Sequence, residues 1–247
     1  MNDFEPDGYF GTCSLCGTFQ EFERALRSIR ETYRCRECKA LLREREQAQA
    51  LLSCFTGLGA ASMAELVRKP EFRRLRIYEP GTIGPFRKLF QGLAFYQQSS
   101  YYPQSERAQA TKKLPHQSLE ALDFADASFD LVITSDIMEH VRKPELALRE
   151  IHRVLKPDGY HVFTVPLQDP LSARSVSRVD TSGETDRAIL PENFHGDGRG
   201  GKALVYTDFG ADIVDMLVRC GFSAALRRTI SGSAQANRIY TVVSRRT

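Results

Sequence analysis

The sequence of 247 residues has little net charge, no long apolar run and no export signal. Its 34 Lys and Arg against 31 Asp and Glu leave a formal charge of +3, too small to indicate a dedicated nucleic-acid binder. The most apolar stretch, residues 51–66, is too short and too polar to cross a bilayer of about 30 Å. The N-terminal MNDFEPDGYF carries acids where a signal peptide has a basic start. We therefore expect a cytoplasmic protein without membrane contact.

Disorder and fibrous repeats are also excluded, because 42% of the residues are hydrophobic and 26% are charged, as in ordinary globular proteins. A chain of this length forms one large domain or two unequal ones.

Four of the six cysteines form two close pairs, CSLC and CREC, spaced C-x2-C-x18-C-x2-C. This spacing predicts a zinc site, with Cys13, Cys16, Cys35 and Cys38 as ligands. Because all four ligands are thiolates, the site is expected to be closed and structural. Two disulfides are the alternative, which a reducing cytosol disfavours. Cys54 and Cys220 lie in apolar stretches and are expected to be buried free thiols.

Beyond residue 70 the pattern alternates between strands and helices, which favours βαβ units and a mostly parallel sheet. We predict strands at 75–79, 93–97, 114–118, 129–134, 159–165, 224–229 and 238–243. Helices are predicted at 39–54, 62–68, 86–91, 144–155 and 207–220. The Gly-rich, polar stretch 166–202 has little periodicity, and such a long loop is more often functional than idle. It is the candidate substrate lid.

Two motifs contain candidate ligand-binding residues. In RIYEPGTIGPF a short strand ends at Glu79, and a turn with two glycines then leads into a helix. Glycines allow close approach of the backbone to a ligand, and a helix start offers free N–H groups. An ordinary strand-to-helix turn is the alternative interpretation. The second motif is the block LEALDFADASFDLVITSDIMEHV with ELALREIHRVLKPDGYHVFTVP. Its apolar strand ends at Ser135 and Asp136, so the carboxyl ends of parallel strands bring these residues and Glu79 to one rim.

These blocks resemble the class I S-adenosylmethionine (SAM) methyltransferases of the small-molecule type 11, over about residues 75–243. The resemblance implies an α/β, Rossmann-like seven-stranded sheet with a reversed final hairpin and SAM at its carboxyl rim, preceded by the small zinc-binding segment. It implies as cofactor-binding residues Glu79, Gly81, Thr82, Gly84, Ser100, Ser118, Leu119, Ser135 and Asp136. The chain departs from the family in two places. The first loop lacks three alternating glycines, and QQSSY at 97–101 replaces the acid that grips the ribose.

Methyl transfer to a hydroxyl is helped by a general base, and His140 and His195 are the candidate catalytic residues. The alternative is that His140 orients the following helix and that His195 is a surface-loop residue.

The sequence thus predicts a zinc-ribbon-like segment at 1–45, connecting helices at 46–70 and a methyltransferase domain at 71–247. The expected activity is transfer of a methyl group from SAM to an oxygen or nitrogen of a small molecule or sugar. One alternative is an RNA or protein methyltransferase that docks its substrate through the zinc ribbon, which makes nucleic acid a less favoured partner. Another is a non-catalytic scaffold. A nicotinamide-dependent dehydrogenase is more distant, because the first loop lacks G-x-G-x-x-G.

Overall fold

The computed structural model describes residues 8–103, 114–197, 200–228 and 239–247. The chain divides into two compact units. The first comprises Met1–Leu75, Pro85–Phe95 and Leu226–Val242, and the second comprises Arg76–Gly84, Tyr96–Ala225 and Val243–Thr247. Within the described ranges, no helix has the length and apolar character needed to cross a membrane.

The first unit begins with an antiparallel hairpin of β1 (Gly8–Thr12) and β2 (Phe19–Glu23). Its helices are α1 (Leu42–Cys54), α2 (Met63–Leu66), α3 (Pro70–Arg73) and α4 (Arg87–Phe90), with a 3-10 turn at Thr56–Leu58. The helical core is aromatic: the ring of Phe72 lies 5.3 Å from that of Phe55 and 5.9 Å from that of Phe90.

Helix α1 begins later than the predicted residue 39. Lys39 has a left-handed φ of 64°, and its amide donates to the carbonyl of Cys35 at 3.0 Å, so it belongs to the cysteine turn. The helix is capped instead by Glu44, whose carboxylate accepts a hydrogen bond from the amide of Leu41 at 2.8 Å.

The largest sheet among the described residues has six strands. Its strands are β3 (Ile77–Pro80), β4 (Tyr96–Ser99), β5 (Phe129–Ser135), β6 (Leu155–Thr164), β13 (Phe222–Arg228) and β14 (Tyr240–Arg246). The order across the sheet is β13-β14-β6-β5-β3-β4. β3 pairs in parallel with β4 and β5, and β5 with β6. The apolar run of β5 is buried, as expected for a strand covered on both faces.

The prediction of a seventh strand at 114–118 is wrong for the residues that the structure describes. This stretch makes only isolated bridges, between Ser100 and His116 and between Ser118 and Ala121. The amide of Ser100 donates to the carbonyl of Pro115 at 3.0 Å, but Pro115 has no amide hydrogen of its own with which to extend a ladder.

Helix α5 (Pro144–Val154) and strand β6 follow the predicted pattern with shifted boundaries. The helix buries one apolar face, formed by Ala147, Leu148, Ile151 and Val154. β6 begins four residues before the predicted 159, because Leu155 already pairs with Phe129 ahead of an irregularity in the ladder. The second predicted strand, 93–97, is likewise displaced, to Tyr96–Ser99.

The segment predicted as an unstructured lid carries short antiparallel ladders. Its strands are β7 (Val176–Ser177), β8 (Val179–Asp180), β9 (Arg187–Ala188), β10 (Phe194–Gly196) and β11 (Lys202–Leu204), followed by β12 (Thr207–Asp208). β8 pairs with β9, β10 with β11 and β7 with β12. The helix predicted at 207–220 therefore begins only at α6 (Ile213–Arg219), since the pairing of Thr207 with Ser177 holds its first residues extended. The predicted strand ends at 229 and 238 lie outside the described residues.

His161 gives the fold a pH dependence that can be measured. It is fully buried on β6, and desolvation lowers its pKa to about 3. The imidazole is therefore neutral in the folded protein, whereas in the unfolded chain it takes up a proton below about pH 6.5. As the pH falls from about 6 to 4, this residue alone should lower the free energy of unfolding by about 1.4 kcal/mol per pH unit.

Urea unfolding of the wild type and of His161→Gln between pH 7 and pH 4.5 checks this. The wild-type free energy should fall more steeply with acidification than that of the variant. Equal slopes for the two proteins would contradict a neutral buried His161.

Candidate functional site

The carboxyl ends of the central strands form a rim where the strand order reverses. β4 and β5 lie on opposite sides of β3, so the end of β3 is the topological switch point at which open α/β sheets bind ligands. Hydrogen bonds connect the strand ends: the amide of Gly81 donates to Ser99 O at 2.8 Å, and that of Asp136 to Thr164 O at 3.0 Å. The predicted residues at the ends of β3, β4 and β5 are thus neighbours.

The loop after β3 depends on two glycines. Gly81 has a φ of 103°, which L-residues rarely adopt, and a Cβ there would lie 3.3 Å from Ile137 Cδ1. A Cβ on Gly84 would lie 2.2 Å from Oε1 of Glu79. Residues 81–84 therefore fold closely over the end of the strand, with Thr82 half-buried between the glycines.

Glu79 lies beneath this loop, 3% exposed. Its Oε2 accepts a hydrogen bond from the hydroxyl of Tyr96. Tyr96 begins β4 opposite Ile77, and sequence reasoning missed it, because only the side-chain reach across two parallel strands brings it to the acid. The carboxylate is thus enclosed by the chain's own groups.

The other predicted rim residues follow β4 and β5. Ser100 is buried, Leu119 is nearly buried and Ser118 is half-buried. The hydroxyl oxygen of Ser118 accepts a hydrogen bond from the amide of Glu120 at 3.3 Å. Ser135 ends β5, and Asp136 has a left-handed φ of 49°. Such strained backbone clusters at functional sites.

The two candidate catalytic histidines meet although they are 55 positions apart. Their rings are perpendicular, with centroids 5.0 Å apart. His140 ends the 3-10 turn Met138–His140, and His195 lies on β10. Glu139, which was not predicted as a site residue, lies between them: its Oε1 is 3.8 Å from His140 Nε2 and 3.7 Å from His195 Nδ1.

Hydrogen bonds connect the lid segment, and the residues just after it, with the stretch that follows β5. The amide of Tyr206 donates to Glu139 O at 2.8 Å, and Nε of Arg142 donates to Asp186 Oδ1 at 2.6 Å. The Tyr206 hydroxyl donates to Asp186 Oδ2 at 2.9 Å. Burial, followed by the interaction with Asp186, raises the pKa of Tyr206 to about 12, so the phenol stays a donor.

The four paired cysteines come together in the first unit. Their Sγ atoms all lie within 4.8 Å of one another. Cys13 and Cys38 are 3.7 Å apart, as are Cys16 and Cys35. All six cysteines are free, so the disulfide alternative is not seen, and Cys54 and Cys220 are half-buried and buried free thiols.

The two cysteine turns share one backbone pattern. In the first, the amide of Cys13 donates to Thr18 O and that of Gly17 to Cys13 O. In the second, the amide of Cys35 donates to Ala40 O and that of Lys39 to Cys35 O. The residue after each pair is left-handed, with a φ of 83° at Gly17 and 64° at Lys39. This repetition directs both pairs of sulfurs to one point.

The thiols also share protons. The hydrogen bond from Cys38 lowers the pKa of Cys13 to about 5, and the same contact raises that of Cys38. Gln20 Nε2 donates to Cys35 Sγ at 2.9 Å, which orients that sulfur. Four sulfurs that lie within 4.8 Å of one another form a ligand set suited to a soft or borderline cation.

Comparison with known proteins agrees with the fold. Residues 97–163 match the family described as "Methyltransferase domain", a segment that includes β5, α5 and most of β6. This match and the sheet order confirm the predicted class I methyltransferase fold, with six strands in the described part instead of seven. Within the second unit, residues 97–163 are thus similar to the methyltransferase-domain family.

The chain is similar to particular methyltransferases over shorter or more divergent stretches. It is 39% identical over 75 residues to a dimethylglycine N-methyltransferase from Parasynechococcus marenigrum, covering 30% of this chain and 25% of that protein. It is 26% identical over 201 residues to a malonyl-[acyl-carrier protein] O-methyltransferase from a Methylovorus species, covering 81% of this chain and 62% of that protein. A SAM-bound amino pentose methyltransferase from Micromonospora echinaspora superposes with a TM-score of 0.47 at 14% identity, covering 81% and 97% of the two chains. The chain therefore spans a quarter to about three fifths of the two curated relatives.

Proposed function

We propose that this chain is a SAM-dependent methyltransferase that acts on an oxygen or nitrogen of a small molecule or sugar. The observation that carries the proposal is the rim at the switch point, where Gly81 lies beside Ile137, which directly follows Ser135 and Asp136, in a chain that matches the methyltransferase family at 97–163. Relatives named as N- and O-methyltransferases support this type of acceptor. No observation on the described residues favours RNA or protein docking or a non-catalytic scaffold.

The residues of the rim suit SAM by their chemistry. We assign the loop at Gly81, Thr82 and Gly84 to the methionine end of the molecule, because glycines let the backbone approach a ligand closely. Glu79 is assigned to the same end; it also supports the loop from below, against Gly84.

We assign the ribose and adenine to the residues after β4, Ser100, Ser118 and Leu119, which offer two hydroxyl groups and an apolar side chain. Ser135 and Asp136 then line the floor near the sulfonium. When bound, SAM supplies an activated methyl group. The chain's own contribution is to orient the acceptor in line with that group and to exclude water.

We propose that the segment 166–202 acts as the substrate lid. We also propose that His140 and His195 are the catalytic residues, which help to remove a proton from the acceptor. The lid strand β10 carries His195 and pairs with β11. Leu204 of β11 and the nearby Tyr206 hydrogen-bond to His140 and Glu139 after the end of β5. A small acceptor enclosed there would meet the histidine pair.

We further propose that Zn²⁺ is bound by Cys13, Cys16, Cys35 and Cys38 as a closed structural site of a zinc-ribbon-like segment at 1–45, joined by helices at 46–70 to a methyltransferase domain at 71–247. The support is the mutual proximity of four sulfurs on two matched turns. Because all six cysteines are free, we place the protein in the reducing cytoplasm.

Calorimetric titration with SAM and with its demethylated product, S-adenosylhomocysteine, tests the proposed function. The wild type should bind at least one of them with micromolar affinity. Gly81→Ala should bind at least tenfold more weakly, because an L-residue is strained at a φ of 103° and its Cβ presses on Ile137. Gly92→Ala is the matched control, since nothing lies within 4 Å of its added Cβ. A folded wild type that binds neither compound would overturn the proposal and favour the scaffold.

Elemental analysis tests the zinc site. Cys16→Ser should lose one zinc per chain relative to the wild type, because three thiolates hold the ion far less tightly than four. Cys54→Ser, which changes a cysteine outside the cluster, should keep the wild-type zinc content. Equal zinc contents in wild type and Cys16→Ser would exclude the assignment, as would a folded wild type free of metal.

A further inference from the structure

Glu139, His140 and His195 form a second group of metal-ligand side chains, which we name the EHH cluster. One ligand atom from each residue lies within 4.8 Å of the other two. Glu139 and His140 belong to the turn after β5, and His195 belongs to β10 of the lid. The cluster is thus built from two parts of the second unit, which hydrogen bonds hold in place.

The carboxylate of Glu139 is the least expected member of the cluster. It is 1% exposed, and within the described part of the chain neither of its oxygens has a hydrogen-bond partner. Its salt-bridge contacts in these residues are the two histidines, at 3.8 and 3.7 Å. An isolated ionised carboxylate in the protein interior is strongly unfavourable. A positive charge, from a proton or a metal ion, is therefore required between these three side chains.

The tautomer of His140 favours the metal ion. Its Nδ1 lies 2.8 Å from the carbonyl oxygen of Leu204, and because a carbonyl only accepts, Nδ1 must carry the proton. In the neutral ring Nε2 then has a lone pair, which faces Glu139 Oε1 at 3.8 Å. Two acceptors face each other there. Donation of the second ring N–H to a carbonyl is also the usual arrangement of a metal-bound histidine.

We propose that the EHH cluster binds a divalent transition-metal ion of the zinc type through a Glu139 oxygen, His140 Nε2 and His195 Nδ1. One carboxylate and two imidazoles are a ligand set of open, catalytic sites. Bonds of about 2.0 to 2.1 Å in a tetrahedron place ligand atoms about 3.3 Å apart. The two contacts of Glu139, at 3.8 and 3.7 Å, therefore have to contract by about 0.4 to 0.5 Å, and the two histidine nitrogens, which lie within 4.8 Å of each other, also have to approach.

The fourth position is left for water or substrate. The side chain of His195 is 36% exposed, which leaves the cluster accessible on that side. The bound ion would join the lid strand to the turn after β5, and both histidines would then act on the acceptor's proton through the ion that they hold. A hydroxyl acceptor at the fourth position would become more acidic; this consequence, unlike metal binding itself, rests on the proposed function.

Zinc stoichiometry tests the proposal without any assay of activity. After equilibrium dialysis against micromolar Zn²⁺, elemental analysis should find two zinc ions per chain in the wild type. Glu139→Gln and His195→Ala should each retain one, held by the cysteines. Glu192→Gln and His152→Ala, which change exposed or half-buried residues outside the cluster, should retain two.

Nitrogen NMR of the wild-type histidine rings gives a second readout that does not depend on how the variants fold. Zn²⁺ should shift the Nε2 signal of His140 and the Nδ1 signal of His195 and leave His152 unchanged. One zinc per chain in the wild type, with no shift at His140 or His195, would mean that the cluster holds a proton, and the proposal would be overturned. A second zinc that persists in both Glu139→Gln and His195→Ala would overturn it equally. Because SAM binding is measured separately, failure here leaves the proposed function intact.

Discussion

The parallel pairing of β3 with β5 is the constraint on which the functional arrangement depends. Two register pairs, Ile77 with Leu131 and Tyr78 with Val132, join residues 54 positions apart in the chain and fix the carboxyl ends of the two strands at one level. The loop at Gly81 thereby reaches Ile137, two residues before the buried Glu139. Everything proposed for the second unit, from the cofactor loop to the histidine pair, follows from this register.

Features with a local cause were predictable from the sequence. The apolar run of β5 and the amphipathic face of α5 follow from the composition and period of the sequence alone. The spacing of the cysteines likewise predicts that the two pairs come together. The errors of the prediction arise from a backbone conformation and a strand pairing that a propensity pattern does not reveal. Lys39 is a good helix former but adopts a left-handed backbone conformation. Thr207 lies in a stretch predicted to be helical but pairs with Ser177 in a short ladder.

The candidate site was only partly predictable, because its key contacts are long-range. His140 and His195 were each identifiable as chemically useful residues, yet the sequence carried no sign that they meet. Glu139 stood beside His140 in the same motif, and only its burial distinguishes it from a solvated helix-cap acid. Tyr96 could not be predicted for the same reason, because its hydroxyl donates a hydrogen bond to Glu79 on the neighbouring strand. Side-chain function at strand ends is set by register, which single-strand patterns do not specify.

The central claim is that the switch-point rim, and no other part of the chain, receives SAM. Amide hydrogen exchange with and without S-adenosylhomocysteine tests this most directly, because a bound ligand slows the local opening of the backbone that it contacts. Our account predicts increased protection at residues 79–84, 99–100 and 135–140, with no change in the cysteine turns at 13–18 and 35–40. Unchanged exchange along the rim at saturating ligand, or protection confined to the cysteine turns, would contradict it.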